Sequence, residues 1–143
     1  MKKLIIYLGT FLFIASCSTN RYDFDSIVSN EWEKCKGTTN CIIDFANLLS
    51  FKWDTMCFYS GACYLEDINK DLGFGLKEFT NTGDRVILLN NGKVVYHKEW
   101  NTKPSEAPVG TIFETDLKKF KVSKSDAKFR ITKEGKAYFL TKL

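Results

Sequence analysis

No feature constrains the fold of this chain more than residues 85–100, RVILLNNGKVVYHKEW, where Asn91-Gly92 separates two apolar runs. A two-residue type I′ turn needs positive φ at both central positions. Asn-Gly supplies this, and the stretch therefore predicts an antiparallel hairpin. The register sets Leu89 opposite Val94 and Ile87 opposite Tyr96. Carried further, it faces His97 with Val86, Lys98 with Arg85 and Glu99 with Asp84. The last two are like-charge pairs that repel across a ladder, so the pairing is expected to end or bend there. Residues 86–89 are apolar on both faces, which predicts a central strand with a helix on one side.

A second hairpin is expected over residues 128–141 with Glu134-Gly135 at the turn, pairing Phe129 with Leu140 and Ile131 with Tyr138. Its other face carries Lys128, Arg130, Thr132 and Thr141, and is expected to meet water. Between the hairpins, residues 101–110 hold both prolines and read as an exposed loop, followed by short strands around Ile112-Phe113 and residues 120–122. Upstream, residues 52–59 read as an aromatic buried strand. Leu65, Ile68 and Leu72 then share one helix face, with acids in the first turn and Gly73 at the C-terminal cap. Ile42, Phe45, Ala46 and Leu49 have helical spacing, yet Ile42-Ile43 and Phe51 also suit a strand. The expectation is an α+β fold: one antiparallel sheet of about five or six strands, with one or two helices on one face and disulfides.

The first seventeen residues, MKKLIIYLGTFLFIASC, place Lys2 and Lys3 before an apolar run, and Ile14-Ala15-Ser16 before Cys17. This resembles a bacterial lipoprotein signal peptide ending in a lipobox. The run is shorter than the roughly 20 apolar residues a membrane helix needs. The resemblance implies a signal at residues 1–16, lipidation at Cys17, a tether over 17–30 and one domain over 31–143. It also implies a cell-envelope location on a membrane. Ser18, rather than an aspartate, implies an outer-membrane destination facing periplasm or cell surface. Several acyl chains, each methylene contributing about 0.8 kcal/mol on burial, make such an anchor stable.

With Cys17 assigned to lipid, Cys35, Cys41, Cys57 and Cys63 remain. An even number in an exported chain favours two disulfides. Three connectivities exist. The local pairs are favoured, Cys35 with Cys41 across a flexible loop, for roughly 2 kcal/mol, and Cys57 with Cys63 across Ser60-Gly61. Zinc is disfavoured, because neither pair has C-x2-C or C-x4-C spacing and the single histidine is distant. No metal or other cofactor is expected.

The chain carries 21 Lys/Arg against 17 Asp/Glu, and losing Lys2 and Lys3 with the signal narrows that excess. Lysines alternate with acids along most of the chain, which argues against nucleic acid as a partner. No G-x-S-x-G elbow is present, Gly73 and Gly75 make only a fragment of a phosphate loop, and His97 falls inside a strand. No catalytic residue is assigned, and the chain is not expected to be an enzyme.

Trp53-Asp54, with the aromatic strand and LEDINKDLG after it, resembles a segment of small bacterial secreted proteins and lipoproteins without an assigned activity. For Trp53 the plainer reading is a core aromatic, and for Asp54 a carboxylate satisfying backbone donors at a bend. Ser60-Gly61-Ala62-Cys63-Tyr64 resembles the SGxxY-type loop of membrane-bound inhibitors of C-type lysozyme. That resemblance implies that Ser60 and Tyr64 would enter a lysozyme cleft. Those inhibitors are small all-β barrels, whereas here the loop leads into a predicted helix. The leading expectation is thus a lipid-anchored, non-enzymatic binding or structural domain, with a possible envelope-protein partner. Its candidate contact residues are Trp53, Asp54, Ser60, Tyr64 and His97. The alternative is a periplasmic inhibitor of a cell-wall hydrolase, or a small cell-wall enzyme.

Overall fold

The computed structural model describes residues 22–36, 38–101 and 105–143. The signal, Cys17 and the first part of the expected tether, residues 17–21, lie outside the described residues. The fold is α+β. Its elements, in order, are α1 (Phe24–Cys35), β1 (Ile42–Asp44), α2 (Phe45–Leu48), β2 (Thr55–Tyr59), α3 (Leu65–Leu72), β3 (Arg85–Asn90), β4 (Lys93–Glu99), β5 (Val109–Glu114), β6 (Lys119–Ser123), β7 (Lys128–Glu134) and β8 (Lys136–Lys142), with a 3-10 turn at Lys124–Asp126.

The strands form two four-stranded sheets, ordered β1-β7-β8-β5 and β4-β3-β2-β6, where a single sheet of five or six was expected. The second is wholly antiparallel, whereas in the first β5 runs parallel to β8. Facing residues of both sheets, among them Met56, Phe58, Val86, Leu88, Phe113, Phe129, Ile131 and Leu140, share one core. A sheet with one apolar face must bury it, and the cheapest cover for either sheet is the other.

Helix α1 begins inside the stretch expected to be tether, because Phe24 and Val28 are fully buried in that core. Its Asp25 carboxylate accepts the Trp100 indole N–H (2.9 Å) and the Thr111 amide (2.8 Å), joining the two sheets. The Cys35–Cys41 disulfide ties the far end of α1 to the start of β1. The ambiguous segment is both things in turn: a three-residue strand, then one helical turn in which Asp44 caps the Ala46 amide.

The first hairpin has its type I′ turn, with φ of 50° at Asn91 and 72° at Gly92. Leu89 faces Val94 as expected, but a bulge between Leu88 and Leu89 moves the rest by one residue. Ile87 therefore pairs with His97 instead of Tyr96, Val86 with Lys98, and Arg85 with Glu99. The bulge removes both like-charge pairs and sets a cation opposite a carboxylate, which is the physical reason the ladder continues to its end. The second hairpin shifts by two: Ile131 meets Leu140 and Lys133 meets Tyr138, with Gly135 at φ 56° leading the turn. A shift of two keeps every side chain on its expected face and removes a Lys133–Lys136 pair.

Candidate functional site

One face of the β4-β3-β2-β6 sheet makes the main core. The other carries rows of residues running across the strands: Lys119–Tyr59–Arg85–Glu99, then Lys121–Cys57–Ile87–His97. Two covers divide this face. Helix α3, with Ile68 buried and Leu72 partly buried, lies over the β6–β2 half, and the irregular strap 73–84 lies over the β3–β4 half, packing Phe74, Leu76 and Phe79 inward.

Polar contacts fasten α3. The Tyr59 hydroxyl donates to Asp71 (2.6 Å), and Lys119 (3.0 Å) and Lys121 (3.1 Å) pair with the same carboxylate. Burial pushes the Asp71 carboxyl up, but these three donors together outweigh it and hold its pKa at about 2. Burial raises both neighbours, Tyr59 above its ordinary value and Cys57 to about 11, so Cys57 is a thiol at neutral pH.

Arg85 fastens the strap. Its side chain is 0 % exposed, beneath the Phe79 ring at 4.2 Å, and its Nη2 donates to the carbonyls of Thr80 (2.9 Å) and Gly83 (3.0 Å). Glu99 lies 3.3 Å from Arg85 Nε and 3.4 Å from His97 Nε2, and accepts from the Thr80 amide and hydroxyl. Neither ring nor guanidinium meets the carboxylate with hydrogen-bond alignment. Of five buried side-chain polar atoms lacking a hydrogen bond among the described residues, Arg85 Nε, Arg85 Nη1 and His97 Nε2 are three. Orphaned polar atoms are costly, and their concentration in one cluster marks it as the part of the molecule least explained by folding alone. Burial holds the His97 pKa below its ordinary value, with Arg85 adding to the effect and Glu99 and Glu78 opposing it.

The Ser60–Tyr64 loop leans on this strap. The Gly61 amide donates to Asp84 Oδ1 (2.9 Å), and a Cβ at Gly61 would lie 3.2 Å from Gly83 Cα. Any Cβ there would press on the Gly83 backbone, which would have to give way by a few tenths of an ångström. The Ser60 amide donates to Lys118 O (2.8 Å), and the Cys63 amide closes the turn onto Ser60 O (3.0 Å). With Cys63 buried below it, Tyr64 stands 69 % exposed, the most exposed of the large apolar side chains described. Leu117, beside Lys118, is 61 % exposed.

His97 and the 60–64 turn, distant in sequence, are thus linked through the strap. Trp53 and Asp54 lie at the opposite end of the same sheet. Trp53 is buried in the main core, with Lys124 Nζ 5.5 Å from its ring centroid. The Asp54 carboxylate accepts the Asn91 amide of the hairpin turn and the Thr55 hydroxyl, which lowers its pKa. It caps a turn, as its plainer reading supposes.

Cys35 and Cys41 are bonded, but the expected partner pair is not: Cys57 and Cys63 are both buried free thiols. β2 runs on through Tyr59, so the chain turns back two residues beyond Cys57. The thiols then meet different neighbours, Tyr59 and Lys121 for Cys57, and Lys118 O (3.3 Å) and Arg85 for Cys63. Among the described residues no group of three His, Cys, Asp or Glu is placed to hold a metal ion, and no helix is long and apolar enough to cross a membrane.

Arg85 and Glu99 escaped the sequence reading because the unbulged register assigns each a like-charge partner. The available signal was that one-residue slip, which turns two repulsive pairs into an attractive one. Comparison of the chain with protein-family models, curated proteins and solved structures finds no match.

Proposed function

We propose that the chain is a lipid-anchored envelope protein whose domain is a non-enzymatic binding module, and that its contact element is the 60–64 turn. The observation that carries this reading is Tyr64. It is a large, amphipathic side chain with few rotamers, held out from the surface on a turn that is braced on two sides. Aromatic residues displayed in this way dominate protein-recognition energetics, because little conformational entropy is lost when they are covered. The lipobox supports the anchor, and the Cys35–Cys41 disulfide suits an exported chain.

Two measurements test the two halves of the proposal. Cys17→Ala is expected to leave the domain folded and release it from membranes, since the covalent lipid is the anchor. A variant that still sediments with membranes after a salt wash would refute this and point to an interfacial segment instead. For the binding half, pull-down from solubilised envelopes is expected to recover a specific protein partner with the wild-type domain. Truncating a central aromatic anchor typically costs about 2 kcal/mol or more, so Tyr64→Ala is expected to lose that partner. Equal recovery by both would place the contact elsewhere.

A second reading has its own support. Ser60 and Tyr64 sit on one exposed turn, as inhibition of a C-type lysozyme would require. Under that reading the wild-type domain inhibits lysozyme and the Ser60→Ala, Tyr64→Ala double variant does not.

A further inference from the structure

We propose that His97 is a proton-sensitive latch for the 73–84 strap: when its ring gains a proton the strap lifts from β3 and β4, and the 60–64 turn loses its brace. The regulatory half of this inference rests on the reading of that turn as the contact element. The latch itself does not.

Two neighbouring side chains anchor the strap: Arg85 holds the Thr80 and Gly83 carbonyls, and the Glu99 that balances it holds the other side of Thr80. Glu99 holds the Thr80 amide and hydroxyl, balances the buried Arg85, and has His97 Nε2 at 3.4 Å. The Thr80 hydroxyl is held by Oε2, while Oε1 lies nearest both Arg85 Nε and His97 Nε2. The charged groups facing the His97 ring are Glu99 on its own strand, Arg85 on β3 and Glu78 on the strap. Lys98, next in sequence, points to the other face, towards Asp23 and Asp25.

A proton gained by the ring therefore adds a second buried cation beside Arg85. Glu99 Oε1 is within ion-pair distance of that cation but not aligned to bond it, and turning the carboxylate into line draws it away from Thr80. The Thr80 contacts hold the middle of the strap, and Gly83 and Asp84 at its end hold Gly61. Release at Thr80 thus travels along five residues to the base of the turn that carries Tyr64.

The direction with pH follows from burial. In the latched form the ring is held neutral, below its ordinary value. In the open form it meets water and titrates nearer to about 6.5. The open form binds more protons, so the latch is fully closed above about pH 6.5 and weakens as pH falls towards the latched-form pKa, by at most about tenfold in the opening constant per pH unit.

Native-state hydrogen exchange of the strap peptides, corrected for the intrinsic rate at each pH and run from about pH 7.5 to about pH 5, reads this opening. The expected result is accelerated exchange at 74–84 and 60–64 below about pH 6.5, with β7 and β8 unchanged, and a flat profile in His97→Gln. His97 is the only histidine in the chain, so NMR titration of the wild-type ring gives a second measurement should that variant fold poorly. Its titration must coincide with the onset of strap exchange. A wild-type profile that is flat, a His97→Gln profile that follows the wild type, or a ring that titrates without change in the strap would each overturn the latch. No partner is present in these measurements. A pH-dependent strap whose partner recovery ignores Tyr64→Ala would leave the latch standing and remove only its link to binding.

Discussion

Glu99→Ala is expected to destabilise the domain by about 3–5 kcal/mol, the usual cost of leaving a buried charge without its partner. Arg85 has no exposed surface, and Glu99 is the one carboxylate within 4 Å of its guanidinium among the described residues. The variant also strips the acceptor from the Thr80 amide and hydroxyl. Denaturant unfolding checks the size of the loss, and a change under about 1 kcal/mol would mean that water reaches the guanidinium. Removing both charges tells a different story. Arg85→Met with Glu99→Leu retains the packing under Phe79 without an ion to desolvate, and is expected to regain most of the loss. The strap should still respond to pH, because the burial of His97 that sets the direction is retained while the carboxylate that opposes it is gone. The pair therefore separates what the cluster contributes to stability from what it contributes to switching.

How much of this was legible in the chain varies with how local the determining interaction is. The Asn91-Gly92 turn and helix α3 with its left-handed Gly73 cap are short-range features, and both lie where their residues predict. Central placement of β3 followed from its apolar runs on both faces. The like-charge pairs were legible and a break in pairing was expected at them, but not the bulge that relieves them closer to the turn, between Leu88 and Leu89. Division into two sheets was hidden too. β5 pairs with β8 in parallel, across the intervening β6 and β7, and nothing in either strand's own alternation announces a partner so far along the chain.

The candidate site shows the same divide. Tyr64 and His97 could be singled out as residue types. Their connection runs through an irregular strap, anchored by a cation whose partner only the folded register reveals. Cys57 and Cys63 were misread for the converse reason: short spacing suggested a loop closure that the continuing strand forbids.

Phe24→Ala is the second large expected effect, again about 3–5 kcal/mol, from the lost transfer energy and the cavity left in the main core. Phe24 is fully buried, stacked on Phe45 at 4.8 Å and set edge-on to Trp100 at 5.6 Å, with Phe113 at 6.1 Å. It stands two residues after Tyr22, at the point where the chain leaves the proposed tether and enters the domain. The far end of α1 is fixed independently by the Cys35–Cys41 disulfide, and its first turn by Asp25 to Trp100 and Thr111. With those clamps intact the helix is expected to stay docked around a cavity, so the loss should appear as a lower unfolding midpoint with an unchanged denaturant slope. Hydrogen exchange in α1 should then rise only in step with global unfolding. Adding Asp25→Ala removes the clamp at the same end. The combined loss should exceed the sum of the single losses if helix docking is one cooperative event, because either contact alone holds the other in place. Strict additivity would show that Phe24 and Asp25 act separately, one in the core and one at the junction of the sheets. The tether would then be seated by the junction rather than by the helix.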